Sequence, residues 1–384
     1  MHIAKDGDLF KVGDISLKVL HTPGHTLEST CYLLKDETGK DHCIFTGDTL
    51  FVGDVGRPDL AQKDGSLTTN DLAGMLFDSL QKKIVPLADD VIVYPAHGAG
   101  SSCGKNLGPD TYSTIGDEKK FNYALQQQSK DAFIKAVTDG LAEPPQYFAI
   151  NAKINKEGYE SLDDVLAHGL KPLSVSEFKS WIEKDAIILD TRLADTFADG
   201  FVPGAISIGL EGRFAEWAGG LLSFEAPIIL VTEAGREKET IIRLARVGFD
   251  KIKGYLNGGY EAWKNAGEEV DMIINVEADE LMMDIPFDDN LIVIDVRKPV
   301  EFADGHLKDA LNMPLAELND PANMANINEE SNVYVHCASG YRSIIASSLL
   351  KRQGIHNIRN VVGGWDAIKQ QEKAKIVKEK SVLN

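Results

Sequence analysis

The chain has 384 residues, 43% of them hydrophobic and 26% charged, with a formal net charge of −19. That length accommodates two to four domains of ordinary globular composition. The acidic balance argues against nucleic acid or an anionic membrane as partner, because like charges repel. No apolar run approaches a membrane span, and the first residues lack a signal peptide's basic-then-apolar order. Four cysteines, Cys31, Cys43, Cys103 and Cys337, lie far apart with no Cys-x-x-Cys pair. Neither a disulfide framework nor a cysteine-rich zinc site is indicated, and a cytoplasmic location is expected.

The first hundred residues read as strands with one helix. Residues 15–20 alternate as a half-buried strand should, and further strands are expected at 30–34, 42–46 and 91–94. A helix over 71–83 carries Leu72, Met75, Leu76 and Leu80 on one face, with Thr69 or Asn70 as its N-cap. Three strands end on a metal-ligand side chain, in Pro23-Gly24-His25, Gly47-Asp48 and Pro95-Ala96-His97. Each alone is an ordinary turn residue; together, at one end of successive strands, they suggest a site. Imidazole plus carboxylate suits zinc or non-haem iron. Cys103 follows His97 by six residues, while Cys31 and Cys43 fall in strands and are expected in the core. Residues 121–141 read as a helix, Glu143-Pro144-Pro145 breaks it, and 151–172 read as a linker.

These stretches resemble the metallo-β-lactamase fold over 1–150. The resemblance rests on Thr22-Pro23-Gly24-His25-Thr26, Phe45-Thr46-Gly47-Asp48-Thr49, Asp54-Val55-Gly56-Arg57-Pro58-Asp59-Leu60 and Tyr94-Pro95-Ala96-His97-Gly98. More narrowly they resemble its persulfide dioxygenase branch, which implies one Fe(II) per chain, with Zn as the alternative, held by His25 and Asp48. That family's first motif, His-x-His-x-Asp-His, has no copy in this chain. An N-terminally truncated αββα sandwich that binds iron weakly is therefore expected. His97 matches a second-metal position of two-metal relatives, and Arg57 and Cys103 are candidate substrate contacts. A local Arg57–Asp59 pair is the simpler reading of that arginine.

The remainder contains a repeat at an offset of 105 residues. Asp190-Thr191-Arg192 returns as Asp295-Val296-Arg297, Phe197-Ala198-Asp199-Gly200 as Phe302-Ala303-Asp304-Gly305, and Gly258-Gly259 as Gly363-Gly364. Two copies of about a hundred residues are domains rather than solenoid units. Each alternates short apolar strands (187–190 and 228–231; 291–295 and 333–336) with helical stretches, the pattern of a parallel sheet covered on both faces.

In the second copy the apolar run Val333-Tyr334-Val335-His336 ends on Cys337. A short loop follows, then a helix with Ile345 and Leu349, and Ala346 and Leu350, four apart. Cys337 is thus expected at the carboxyl end of a strand under a helix N-terminus. There, loop N–H groups, the helix dipole and Arg342 favour an anion. A buried inert thiol is the alternative. Both copies, 173–271 and 275–375, resemble rhodanese domains, and Cys337, Gly340 and Arg342 fit that family's Cys-x-x-Gly-x-Arg loop. The resemblance implies that Cys337 accepts sulfur as a persulfide. It further implies that the amides of Ala338, Ser339, Gly340, Tyr341, Arg342 and Ser343 cradle the terminal sulfur, with Arg342 binding the anionic donor. The first copy has Thr232 where the cysteine belongs, in a loop carrying Glu233 and Glu237, and is expected to be inactive.

The expected function is therefore in sulfur metabolism: persulfide dioxygenase chemistry yielding sulfite, joined to sulfurtransferase chemistry through Cys337. Tethering the two would raise the local concentration of one site's product at the other. The substrates implied are a small-molecule thiol persulfide, thiosulfate or sulfite, and a homo-oligomer is expected. Two alternatives are a glyoxalase II-type thioester hydrolase with two metals, and a sulfur carrier in which only the rhodanese site acts.

Overall fold

The computed structural model describes residues 3–60, 67–98, 101, 103–105, 107, 110–141, 147–318, 327 and 330–379. The chain divides into two compact units, Met1–Ala149 and Ile150–Asn384. Among the described residues no helix is long and apolar enough to cross a membrane.

In the first unit, β1 (Leu9–Val12), β2 (Ile15–His21), β3 (Thr30–Lys35) and β4 (Asp41–Gly47) form an antiparallel meander. The short β5 (Leu50–Phe51) and β6 (Asp54–Val55) make a hairpin. Helix α1 (Thr69–Ser79) then widens into a π turn over Leu80–Ile84 and returns the chain to β7 (Ile92–Pro95), parallel to β4. Next come β8 (Ser113–Thr114), α2 (Ile115–Phe121) and α3 (Lys130–Thr138), and the sheet order is β1-β2-β3-β4-β7-β8. Strand alternation sorts the residues. The register neighbours Leu33, Ile44 and Val93 are buried in one core with Leu76, Leu80 and Phe133. On the opposite face Tyr32, Phe45 and Tyr94 line up across the sheet at 39%, 42% and 39% exposure.

Two local expectations are corrected. The N-cap of α1 is Thr68, not Thr69 or Asn70, because Thr68 and the Asp71 carboxylate complete a reciprocal capping box. Residues 121–141 are not one helix. The Asn122 amide donates to Asp54 O and Glu118, its own oxygen accepts from Ala124 N–H, and Ser129 starts α3 afresh as N-cap.

In the stretch read as a linker stand α4 (Tyr147–Glu157) and α5 (Leu162–Gly169); the Pro144-Pro145 break lies outside the described residues. Val165 of α5 is 2% exposed, and Gly169 lies against Ile241 so closely that a Cβ would sit 3.1 Å from it. An amphipathic face thus docks α5 where a flexible connection is expected.

The first copy runs β9 (Pro172–Leu173), α6 (Val175–Ile182), β10 (Ile187–Asp190), α7 (Ala194–Ala198), β11 (Ile206–Ser207), α8 (Phe214–Leu221), β12 (Ile228–Val231), α9 (Glu237–Ala245), β13 (Ile252–Leu256) and α10 (Gly259–Asn265). The second runs β14 (Ile274–Val276), α11 (Ala278–Asp284), β15 (Leu291–Asp295), α12 (Pro299–Ala303), β16 (His306–Leu307), β17 (Leu311–Asn312), β18 (Asn332–His336), α13 (Tyr341–Arg352), β19 (Ile358–Val361), α14 (Gly364–Ile368) and β20 (Ile376–Val377). Their five-stranded parallel sheets match strand for strand, β9-β13-β12-β10-β11 against β14-β19-β18-β15-β17. The central strands β12 and β18 lead directly to Thr232 and Cys337.

Helix α13 joins the copies. The sequence predicts one buried face, yet every residue from Ser343 to Lys351 is buried. Ile344 belongs to the first copy's core with Phe197, Phe201 and Val202. Around it, Ser348 Oγ accepts from Ser207 N–H at 3.0 Å, Lys351 meets Asp271 at 2.7 Å, and Arg352 donates to Gly204 O. A second sheet domain covers the side that would otherwise face water.

Candidate metal centre and sulfur-transfer loop

In the first unit the turns after β2, β4 and β7 converge. The Thr22 and Thr49 hydroxyls bond each other at 2.9 Å, and Thr46 Oγ1 donates to Leu50 O at 2.6 Å, fixing the loops that carry His25 and Asp48. His25 is 7% exposed; its Nδ1–H donates to Arg57 O at 2.8 Å, leaving Nε2 facing Asp48 Oδ2 at 3.3 Å. Ala96 N–H donates to Gly47 O, which brings the next residue, His97, to 3.3 Å from Asp48 Oδ1. That approach lacks hydrogen-bond geometry, and Asp48 Oδ1 is buried with no hydrogen-bond partner. Asp48, His97 and Cys103 place donor atoms within 4.8 Å of one another.

Burial pushes the Asp48 carboxyl up, but the His25 hydrogen bond and the His25 and His97 charges outweigh it, and the net shift is downward. Burial pushes the Cys103 thiol up, and the Asp48 carboxylate adds to the effect. A carboxylate held ionised between two imidazole nitrogens, with one buried oxygen bare and a thiol beside it, is a donor set that fits a transition metal.

The Asp54–Asp59 motif is the frame of this centre. A Cβ on Gly56 would fall 1.9 Å from Asp48 O and 3.0 Å from His25 Nδ1, so only glycine lets the segment pass. Arg57 N–H donates to Cys103 O at 3.0 Å, and Asp54 Oδ2 accepts from Lys105 N–H at 2.7 Å, tying the Cys103 loop to the same turn. The Arg57 guanidinium is 5% exposed and engages Asp59 through Nε at 2.9 Å and Nη2 at 2.6 Å. The local pair with Asp59, the simpler expectation for Arg57, is present. Cys31 and Cys43 are buried in strands, as expected.

In the second unit Cys337 is 1% exposed at the end of β18, and Gly340, with φ of +116°, turns the loop into α13. Gly340 N–H donates to Cys337 Sγ at 3.1 Å, and Ser343 Oγ donates to Gly340 O. The Gly363-Gly364 pair closes the loop from the other side. At Gly364, with φ of +55°, a Cβ would sit 2.5 Å from Cys337 O; Trp365 and Asp366 N–H groups donate to Cys337 O and Ala338 O. Tyr341 Oη donates to Gly209 O of the first copy at 2.9 Å; burial pushes its pKa up to about 12, so it stays a donor at neutral pH.

The equivalent loop of the first copy is wired differently. Gly235 occupies the place of Gly340, and its N–H donates to the Glu237 carboxylate. Arg236 is taken up by Glu239 and Glu211. Three features escape the sequence reading: the Glu301 carboxylate on Arg342, the Tyr341 link to the first copy, and the close approach at Gly56. Glu301 sits in the motif beside Phe302, but nothing in one sequence says that a residue 41 positions away is its partner.

A metallo-beta-lactamase superfamily model matches residues 2–97, and a rhodanese-like domain model matches 174–266 and 277–371. A metallo-β-lactamase crystal structure from Staphylococcus aureus is 32% identical, covering 67% of this chain and 72% of its own, with a TM-score of 0.57. A crystal structure of ETHE1 from Myxococcus xanthus is 30% identical over 40% of this chain and 58% of its own, with a TM-score of 0.32. The probable hydroxyacylglutathione hydrolase of Schizosaccharomyces pombe is 33% identical over 138 residues, 31% of this chain and 49% of that one. The chain spans about half the length of the curated relatives it matches. The chain belongs to the metallo-β-lactamase superfamily, and behind that fold it carries two rhodanese-like domains.

Proposed function

We propose that this chain is a sulfur-metabolism enzyme coupling persulfide oxidation at the His25–Asp48 centre to sulfur transfer at Cys337. The observation that carries the reading is the wired cysteine loop, with its N–H on the thiol, joined to a metal-donor cluster in one polypeptide. His25, Asp48, His97 and Cys103 are the side chains that would hold or flank the metal. Fe(II), when bound, supplies the redox chemistry with dioxygen. The protein's own work is to keep His25 Nε2 aimed by the Arg57 carbonyl, to keep Asp48 ionised, and to present a thiol beside it. At the second site Cys337 attacks the sulfane sulfur of a donor, and Gly340 N–H and Arg342 stand where negative charge must be held.

Two measurements test the reading: metal content with oxygen uptake on a thiol persulfide, and thiosulfate-to-cyanide sulfur transfer. The expected outcome is transfer that vanishes in Cys337→Ser, and oxygen uptake that scales with bound iron. Zinc, thioesterase turnover and no oxygen uptake would instead establish the hydrolase reading. That second reading is favoured by one contact, His97 Nε2 at 3.3 Å from Asp48, where a second metal's ligand would stand, and by the similarity to the yeast hydrolase.

A further inference from the structure

Two arginine–carboxylate pairs flank the Cys337 loop, and the repeat separates their roles. The Asp295–Arg297 pair is buried, holds Gly305 O, and has its twin in Asp190–Arg192, which holds Gly200 O. A pair kept in both copies, with and without a thiol, belongs to the scaffold. The Glu301–Arg342 pair behaves otherwise. Its counterparts 105 residues earlier are Thr196 and Glu237, so neither member survives in the copy that lacks the cysteine. The pair is bidentate, with Arg342 Nη1 2.7 Å from Glu301 Oε2 and Nη2 2.8 Å from Oε1. Its side chains are 18% and 33% exposed, at the mouth of the loop rather than in the core. Both terminal guanidinium nitrogens are therefore already engaged by a carboxylate when a donor arrives.

We propose that Glu301 is the specificity-determining residue of the Cys337 site, biasing it towards singly charged sulfane donors and against dianionic thiosulfate. The inference rests on the sulfurtransferase reading. An incoming dianion must share Arg342 with a carboxylate that repels it, whereas a monoanion feels about half that repulsion. The step is the same for either donor. Cys337 thiolate forms a bond to the outer sulfur, the donor's S–S bond breaks, and its electron pair leaves with sulfite from thiosulfate or with sulfinate from an arenethiosulfonate. The protein is left as Cys337 persulfide, with charge and sulfur balanced and no outside oxidant.

The test compares KM and kcat for thiosulfate and for benzenethiosulfonate, with cyanide as acceptor, in the wild-type chain, Glu301→Gln and Arg342→Lys. Glu301→Gln should lower the thiosulfate KM about fivefold and the benzenethiosulfonate KM only about twofold, as half the repulsion requires, and added salt should shrink the difference. Arg342→Lys should raise the thiosulfate KM. Equal changes for both donors, or a higher thiosulfate KM in Glu301→Gln, would overturn the inference. Glu301 also accepts the Lys298 N–H at the start of α12, so Glu301→Thr, the residue that the folded first copy holds at this place, serves as a second variant with the same expectation. A wild-type chain inactive with both donors would sink the sulfurtransferase reading itself, and this inference with it.

Discussion

The two rhodanese-like copies are the same scaffold with opposite loops, and they separate what the fold needs from what the chemistry needs. Strand order, the buried Asp-x-Arg pair and the Gly-Gly turn are common to both. The thiol, the arginine two residues after the loop glycine and its Glu301 partner occur in the second alone; the first copy's Arg236 stands one place earlier. The contrast reaches the backbone: one amide, Gly340 N–H, is aimed at sulfur, while its twin, Gly235 N–H, is spent on the Glu237 carboxylate. An amide already taken by an acid is not available to an anionic donor.

The sharpest way to break this comparison is to exchange the side chains. Cys337→Ser should abolish sulfur transfer by several orders of magnitude, as loss of a nucleophile does, while Thr232→Ala leaves it unchanged. Adding Thr232→Cys to the Cys337→Ser chain should not restore it, because Glu233 and Glu237 remain in that loop. Recovery of transfer would show that the thiol alone makes the site. Next in size is the Gly-Gly turn. Gly364→Ala sets a Cβ against Cys337 O at a positive φ and should cost about 1–3 kcal/mol and at least about tenfold in transfer. Gly259→Ala meets Thr232 O at 3.3 Å and should lower the melting temperature without touching transfer.

A smaller effect tests the link between the copies. Tyr341→Phe removes one hydrogen bond to Gly209 O and should cost about 1 kcal/mol in denaturant unfolding of the second unit. No change would mean that the copies are held by α13, through the burial around Ile344 and the Ser348, Lys351 and Arg352 bonds, without help from Tyr341. Smallest is a pH effect. The Arg342 hydrogen bond holds the Glu301 carboxyl below the usual glutamate range. A carboxyl lowered in the folded state stabilises fully above its unfolded pKa, and that contribution is lost as pH falls through the folded value. The stability gap between wild type and Glu301→Gln should therefore narrow below about pH 4. A gap that widens in acid would reverse the sign.

Much of this was legible in the chain. Period-two alternation placed β2, β3, β4 and β7 to within a residue or two. The offset of 105 residues announced two equivalent sheets, and the motif residues His25, Asp48 and His97 do meet. The errors have local causes. An asparagine side chain competing for backbone groups cut one helix in two, and a docked amphipathic helix stood where composition suggested a linker.

What the sequence determined by itself is whatever depends on neighbours a few residues apart: strand periods, caps, glycine turns, and the position of a thiol between a strand and a helix. Tertiary structure alone decided which distant groups share a charge or a backbone. The Glu301–Arg342 pair spans 41 residues, Tyr341 reaches 132 residues back to Gly209, and Gly56 is small because Asp48 O lies where its side chain would be. Helix α13 shows the reason most plainly. Its sequence carries one apolar face, but a second domain removes water from the other, and Ser348 and Lys351 there are buried with partners across the boundary.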